Sequence, residues 1–118
     1  MKSLIFSLCA LILLVGIIIL NGIYIKNVTA DLENEAMKIS WQDEASIQDF
    51  RELWESNEHK ICLSVSHKDI DNVNFALSVL ESKQKDGEKD SFYEYRALLC
   101  EYIKEIRNKE RVHIDNIV

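Results

Sequence analysis

The chain has 118 residues, a formal net charge of −6, no proline and three glycines. Its acidic balance argues against nucleic-acid binding, because contacts to phosphates supply most of that affinity. The same balance argues against a domain that lies flat on an anionic lipid leaflet. Strand-rich folds need many tight turns, and tight turns use glycine and proline. The composition therefore predicts an all-α protein.

An uncharged run from Ser3 to Ile25 predicts a membrane-spanning helix. The part from Leu4 to Leu20 is almost wholly apolar, and Lys2 and Lys26 flank the run. A helix needs about 20 apolar residues to cross the hydrocarbon core of a bilayer. We therefore expect residues 1–25 to form an N-terminal transmembrane anchor. The residues assigned to this anchor are Leu4, Leu8, Leu11, Leu14, Ile18 and Leu20.

A cleaved signal peptide is the alternative for this segment. Val28-Thr29-Ala30 resembles a cleavage site, and cleavage near Ala30 would release a secreted helical protein. The apolar run is longer than the stretch of about 7–15 residues in a signal peptide, which favours an uncleaved anchor. Basic residues near its two ends are nearly balanced, with Lys2 before it and Lys26 and Lys38 after it. The short N-terminal tail favours a C-terminal domain outside the cytoplasm.

Residues 26–118 are expected to form one acidic helical domain. Apolar residues recur there at steps of three and four, which is the pattern of helices with one buried face. The first helix either stands alone or continues the membrane helix, since nothing between Ile25 and Val28 breaks the pattern. Short connections favour antiparallel neighbours, so we expect a small antiparallel helical bundle or stacked helical hairpins. The predicted helices cover about residues 28–39, 41–65, 67–86 and 90–109.

Local signals mark the helix ends. Ser40 with Asp43, and Ser66 with Asp69, match the Ser-x-x-acid pattern of a helix N-cap. Gly87 is expected to cap the C-terminus of the third helix. Asn57 lies where the second apolar stripe would have an apolar residue, which suggests a break or bend of that helix near Ser56-Asn57.

With these landmarks in place, the chain resembles the domain-of-unknown-function 4363 family of small single-span membrane proteins from spore-forming Gram-positive bacteria. The resemblance covers nearly the whole chain. It rests on the N-terminal span, on Phe50-Arg51-Glu52-Leu53-Trp54, and on His67-Lys68-Asp69-Ile70-Asp71-Asn72-Val73. The family has no established activity, so the resemblance implies a fold and a location and carries no catalytic residues.

His67, Asp69 and Asp71 are the one cluster with a chemical character. His67 and Asp71 are four residues apart, as metal ligands on one helix face are. A zinc site needs about two further ligands, and the candidates Glu58, His59 and His113 have no fixed spacing. The simpler interpretation is that Ser66 caps the helix while acids in its first turn complement the helix dipole, with no metal bound.

The three cysteines, Cys9, Cys62 and Cys100, are best interpreted as small buried hydrophobic residues. A Cys62–Cys100 disulfide stays open for a domain in an oxidising space. The mixed charges from Glu101 to Arg111 indicate a solvated helix face, with Lys104 pairing with Glu101 and Lys109 with Glu105.

The sequence holds no nucleophile–base pattern, glycine-rich phosphate loop or His-Glu-x-x-His zinc motif. We therefore expect a non-enzymatic interaction or accessory module at the cell envelope, with no cofactor, docking on another membrane or envelope protein. A membrane-tethered sensor that binds a metal or small ligand near His67 is an alternative. Self-association would have to use the helical domain, since Gly16 and Gly22 do not fit the small-xxx-small pattern.

Overall fold

The protein folds into four helices, as a computed structural model that describes the backbone of residues 1–117 and the side chains of residues 1–109. Apart from an isolated bridge between Ser40 and Asp43, these described residues hold no β-structure. The all-α prediction is therefore confirmed. The helices are α1 (Lys2–Met37), α2 (Glu44–Cys62), α3 (His67–Asp86) and α4 (Lys89–Ile117).

The four helices form a closed bundle rather than stacked hairpins. α1 packs against α2 and α4, and α3 packs against the same two helices. Asn21 of α1 contacts Ser64 just after α2, whereas Arg96 of α4 reaches the carbonyl oxygen of Ile39 just after α1. Each helix is therefore antiparallel to the two that it contacts. α1 and α3 lie on one diagonal of the bundle, and α2 and α4 lie on the other.

α1 is one uninterrupted helix that contains both the apolar run and the first helix of the domain. Its 36 residues give it a length of about 54 Å at 1.5 Å per residue, within a molecule whose longest dimension is 69 Å. Of the two arrangements that the sequence left open, continuation of the membrane helix is the one observed. No proline interrupts this segment, so nothing forces the helix to end at the edge of the apolar run.

α2 begins three residues later than the first Ser-x-x-acid pattern predicts. The residue before its first turn is Asp43, and the hydroxyl of Ser46 donates to the Asp43 carbonyl oxygen at 2.6 Å. Ser46 also accepts the backbone N–H of Ser40 at 3.0 Å. Ser40 is therefore not an N-cap. Ile39 is fully buried and Trp41 packs edge-on against Phe92, so this segment turns into the core before α2 can start.

The predicted break at Asn57 is wrong, because α2 runs without interruption to Cys62. The ends of α3 match the sequence signals. The Ser66 hydroxyl accepts the Asp69 backbone N–H at 3.3 Å, and Gly87 ends the helix with a left-handed φ of 76°. A φ of that sign favours glycine, which has no Cβ to clash. The tail after residue 109 belongs to α4, which continues to Ile117.

One hydrophobic core fills the bundle. Its largest fully buried side chains are Trp54, Phe50 and Phe92. The second half of α1 contributes Ile25, Leu32 and Ala36, each completely inaccessible to solvent. The other buried hydrophobic residues are Val28, Ile39, Ile47, Ile61, Ile70, Val73, Ala76, Leu77, Leu80, Leu99, Ile103 and Ile106.

Candidate functional site

The first part of α1 is an apolar helix with nothing packed on it. Leu4 is 74% exposed, Leu14 is 55% exposed and Leu20 is 67% exposed. This helix is long and apolar enough to cross a membrane, and none of its most apolar 18-residue window is buried. A signal sequence shares that length and composition. Of the other residues assigned to the anchor, Leu8 and Leu11 are exposed and Ile18 is half-buried.

The helix changes its surroundings within two turns, between Asn21 and Ile25. Gly22 and Ile25 are buried, whereas Ile23 on the opposite side is 49% exposed. Two polar contacts fix the bundle to α1 at this level. The Asn21 side-chain amide donates to the Ser64 hydroxyl at 2.6 Å. The α2–α3 turn therefore lies directly beside the end of the apolar run.

The second polar contact joins α1 to the middle of α2. The Tyr24 hydroxyl donates to the Asn57 side-chain oxygen at 2.8 Å. Asn57 also donates to the carbonyl oxygen of Leu53, one turn earlier in its own helix. The polar residue that interrupts the apolar stripe of α2 is therefore matched by a tyrosine on the neighbouring helix. The asparagine within the apolar stripe was the one sign of this contact in the sequence. It indicates a polar partner on a neighbouring helix and not a break in α2.

The cluster at the start of α3 does not come together as a ligand set. Asp69 is buried, with its Oδ1 accepting from Lys109 Nζ at 2.6 Å and its Oδ2 accepting from the Ser66 hydroxyl at 3.0 Å. Asp71 and His67 are exposed. The nearest polar atom to His67 is the Cys62 sulfur, 3.6 Å from Nδ1. Asp69 therefore ties α3 to α4 and leaves neither carboxylate oxygen unpartnered.

The further ligand candidates are also separated from this cluster. Glu58 accepts from the Asn74 side chain at 3.3 Å, and Asn74 in turn accepts from the Trp54 indole N–H at 2.8 Å. His59 is exposed on α2, and the side chain of His113 lies outside the described residues. Among the described residues, no group of three histidine, cysteine or acidic side chains is placed to hold a metal ion.

All three cysteines are free thiols. Cys62 lies in α2 and Cys100 in α4, and these two helices have no pair of Cα atoms within 8 Å. A disulfide requires Cα atoms about 4.4–6.8 Å apart, so the diagonal placement of the two helices excludes a Cys62–Cys100 bridge. Burial raises the pKa of the Cys100 thiol, which disfavours the reactive thiolate.

Charged pairs join α4 to its neighbours. Glu33 of α1 lies 2.9 Å from Arg107 and 3.8 Å from Lys104. Lys104 also pairs with Glu101 at 3.6 Å, as the sequence predicts. Lys109 does not pair with Glu105 as expected, since it contacts Asp69 of α3 instead. These contacts and the core together hold the second half of α1 in the bundle.

The fold defines a class of protein: an antiparallel four-helix bundle whose first helix extends beyond the bundle. We call the exposed part of α1 before Asn21 the apolar rod. Within that class, the family model named Domain of unknown function (DUF4363) matches residues 23–117. The chain belongs to this family. The matched region begins at the level of Asn21 and Gly22, where the helix enters the bundle. No curated protein and no solved structure matches the chain.

Proposed function

We propose that this chain is a membrane-anchored, non-enzymatic accessory subunit whose bundle docks on another membrane or envelope protein. The observation that carries the proposal is the continuity of α1. One helix exposes apolar side chains along its first half and buries Ile25, Leu32 and Ala36 in the bundle core along its second. A bundle held this way has a fixed position relative to the bilayer, which suits a subunit that meets a partner at a defined height.

Retention of the anchor is supported by the position of the cleavage motif. Ala30 lies inside α1, two turns before its end, between the buried residues Thr29 and Leu32. Cleavage near Ala30 would remove Ile25 and Val28 from the core, together with the contact between Tyr24 and Asn57. Loss of two buried aliphatic side chains costs a small domain several kcal/mol, roughly 2–5 for a large side chain. The secreted alternative is therefore the weaker one.

The bundle surface favours a polar docking interface. Met37, Leu63 and Phe75 are the large hydrophobic residues that the described part of the bundle exposes, and they lie on different parts of it. Without Lys2, which precedes the apolar run, the chain carries 13 basic and 20 acidic residues. Complementary charge steers association and selects partners, so we propose a partner with a basic surface. The sensor alternative is disfavoured because Asp69 is already occupied by Lys109 and Ser66.

The first test is co-purification of a C-terminally tagged chain after mild cross-linking in intact cells and detergent extraction. We expect a discrete partner that is still recovered when residues 1–20 are replaced by an unrelated membrane span. The matched control retains the native span and lacks the bundle, and it should lose the partner. Recovery of the chain alone, or with itself only, would contradict the proposal.

A second test concerns the side of the membrane. We propose that the bundle lies outside the cytoplasm, since Lys26 and Lys38 give only a slight excess of positive charge after the span and do not favour retention of the bundle inside. A reporter that is active only outside the cytoplasm, fused after Val118, should be active. Its activity should vanish when several lysines are added just after the span, and an inactive reporter on the native chain would reverse the assignment.

A further inference from the structure

The end of the bundle nearest the apolar rod carries features that the accessory role does not use. This end includes the turn from Leu63 to Ser66, the adjoining ends of α2 and α3, and the last turns of α4, which the contact between Lys109 and Asp69 places there. The hydrogen bond of 2.6 Å between Asn21 and Ser64 holds the turn against α1. A hydrocarbon core about 30 Å thick takes about 20 helical residues, so a span that begins at Ser3 ends near Gly22. The turn therefore lies at the edge of the bilayer.

Leu63 is the most exposed large hydrophobic residue of the described bundle, at 80%, against 62% for Met37 and 55% for Phe75. It lies in the turn that follows α2 and not on the packed face of a helix. Ile23 of α1, 49% exposed, lies two residues beyond Asn21 at the same level. At this level the protein thus exposes apolar side chains on two separate sides, Ile23 on α1 and Leu63 on the turn, where a lipid interface would cover both.

Three lysines lie at the same end of the bundle as Leu63. Lys26 lies one turn beyond Gly22, Lys60 lies in the last turn of α2, and Lys68 lies in the first turn of α3. All three are exposed, and none forms an ion pair with another described side chain. Lysines at this height meet phosphate headgroups, which attract basic residues near the membrane surface.

The side of the bundle has the opposite character. α2 exposes Asp49, Glu52 and Glu55 along its outer face. An anionic leaflet would repel this face if the bundle lay on its side, whereas an upright bundle keeps the acidic face away from the lipid. The direction of α1 through the bundle favours the same upright position.

We propose that the Leu63–Ser66 end of the bundle is a lipid-binding surface, in which Leu63 enters the membrane interface and Lys26, Lys60 and Lys68 bind headgroup phosphates. The inference rests on the proposed membrane anchor. It adds a second membrane contact, which sets the bundle upright and leaves its acidic sides free for a protein partner.

The test uses the full chain in phosphatidylcholine–phosphatidylglycerol vesicles whose acyl chains carry bromine both near the headgroup and near the bilayer centre, so that tryptophan at either depth is quenched. Three variants are compared with the native chain, whose Trp41 and Trp54 give a constant background: Leu63→Trp, Leu14→Trp within the span, and Met37→Trp at the opposite end of the bundle. Each is first checked for native helix content. We expect loss of the added fluorescence for Leu63→Trp and Leu14→Trp, and no loss beyond background for Met37→Trp.

The variants separate the two proposals. Quenching of Leu14→Trp without quenching of Leu63→Trp would overturn the lipid-binding surface and leave the anchor intact. Quenching of neither would overturn the anchor itself. Because tryptophan has its own preference for interfaces, the lysines are tested separately in the Leu63→Trp background. Adding Lys60→Glu and Lys68→Glu should reduce the quenching, whereas the matched changes Lys85→Glu and Lys89→Glu at the far end should not. Equal quenching in both would overturn the lysine contacts with headgroups.

Discussion

The two halves of α1 have the same secondary structure and opposite surroundings. Before Asn21, large apolar side chains such as Leu4 and Leu14 are more than half exposed. After Gly22, most apolar side chains lie on one face, where Ile25, Leu32 and Ala36 are completely buried. Between these apolar positions the second half carries Lys26, Asp31, Glu33 and Glu35, so its other face is polar.

The difference shows that one continuous helix can carry two residue patterns, each suited to different surroundings. A helix that is apolar on every side is stable where lipid surrounds it, whereas a helix with one apolar stripe requires a protein partner along that stripe. The change from one pattern to the other takes place without a break in the backbone.

The largest expected effect compares equivalent leucines in the two halves. Leu32→Ala should lower the free energy of unfolding of the bundle by about 2–5 kcal/mol, since it leaves a cavity at a fully buried position. Leu14→Ala should change it by less than about 0.5 kcal/mol, as exposed substitutions do. Urea unfolding of the full chain in detergent, followed by the fluorescence of buried Trp54, measures both. Equal losses would show that the two halves are not distinct.

A second pair of variants tests how the bundle begins each helix. Ser66→Ala should destabilise the fold by about 1 kcal/mol, because its hydroxyl caps α3. Ser40→Ala, in the same Ser-x-x-Asp pattern, should stay within about 0.5 kcal/mol. Ser40 contributes its backbone N–H, and not its hydroxyl, to the contact with Ser46. The same urea titration applies, and a cost at Ser40 equal to that at Ser66 would contradict the observed start of α2.

The junction between the two halves of α1 should show a measurable coupling. A double-mutant cycle of Tyr24→Phe and Asn57→Ala should give a coupling of about 0.5–1.5 kcal/mol, the contribution of one hydrogen bond. Tyr102→Phe with Asn57→Ala is the control, since α2 and α4 lie on a diagonal of the bundle and have no Cα atoms within 8 Å of each other. Its coupling should stay below about 0.5 kcal/mol. The absence of coupling in the first cycle would remove Tyr24 from the junction.

The smallest expected effect is a pH dependence. The hydrogen bond with Asp69 raises the pKa of Lys109, so the pair stabilises the fold fully below the ordinary lysine pKa of about 10.4. The contribution is lost as pH rises through the raised pKa. The stability difference between the native chain and Asp69→Asn should therefore stay constant up to about pH 10 and shrink as the pH rises above the ordinary lysine pKa of about 10.4. A stability difference that does not change as the lysine titrates would contradict the pairing. The ion pair between Lys83 and Glu88 is present in both proteins, so its titration cancels in the comparison.

Features that depend on residues close together in the sequence were predictable from it. The span follows from the composition of residues 3–25, and the cap at Ser66 and the glycine at Gly87 follow from local backbone requirements. The Ser40 pattern failed because the buried Ile39 and the partly buried Trp41 occupy the turn that an N-cap would need. The Asn57 prediction failed because its partner, Tyr24, is 33 residues away.

The sequence by itself determined that this protein is helical, where its apolar run lies and where α3 begins and ends. Each of these depends on composition, on a period of 3.6 residues or on hydrogen bonds within one turn. The tertiary structure alone decided that α1 is shared by the span and the bundle core, that Asp69 pairs with Lys109, and that Cys62 and Cys100 lie on a diagonal. These outcomes depend on which helices become neighbours, and that choice is made by packing the whole core at once.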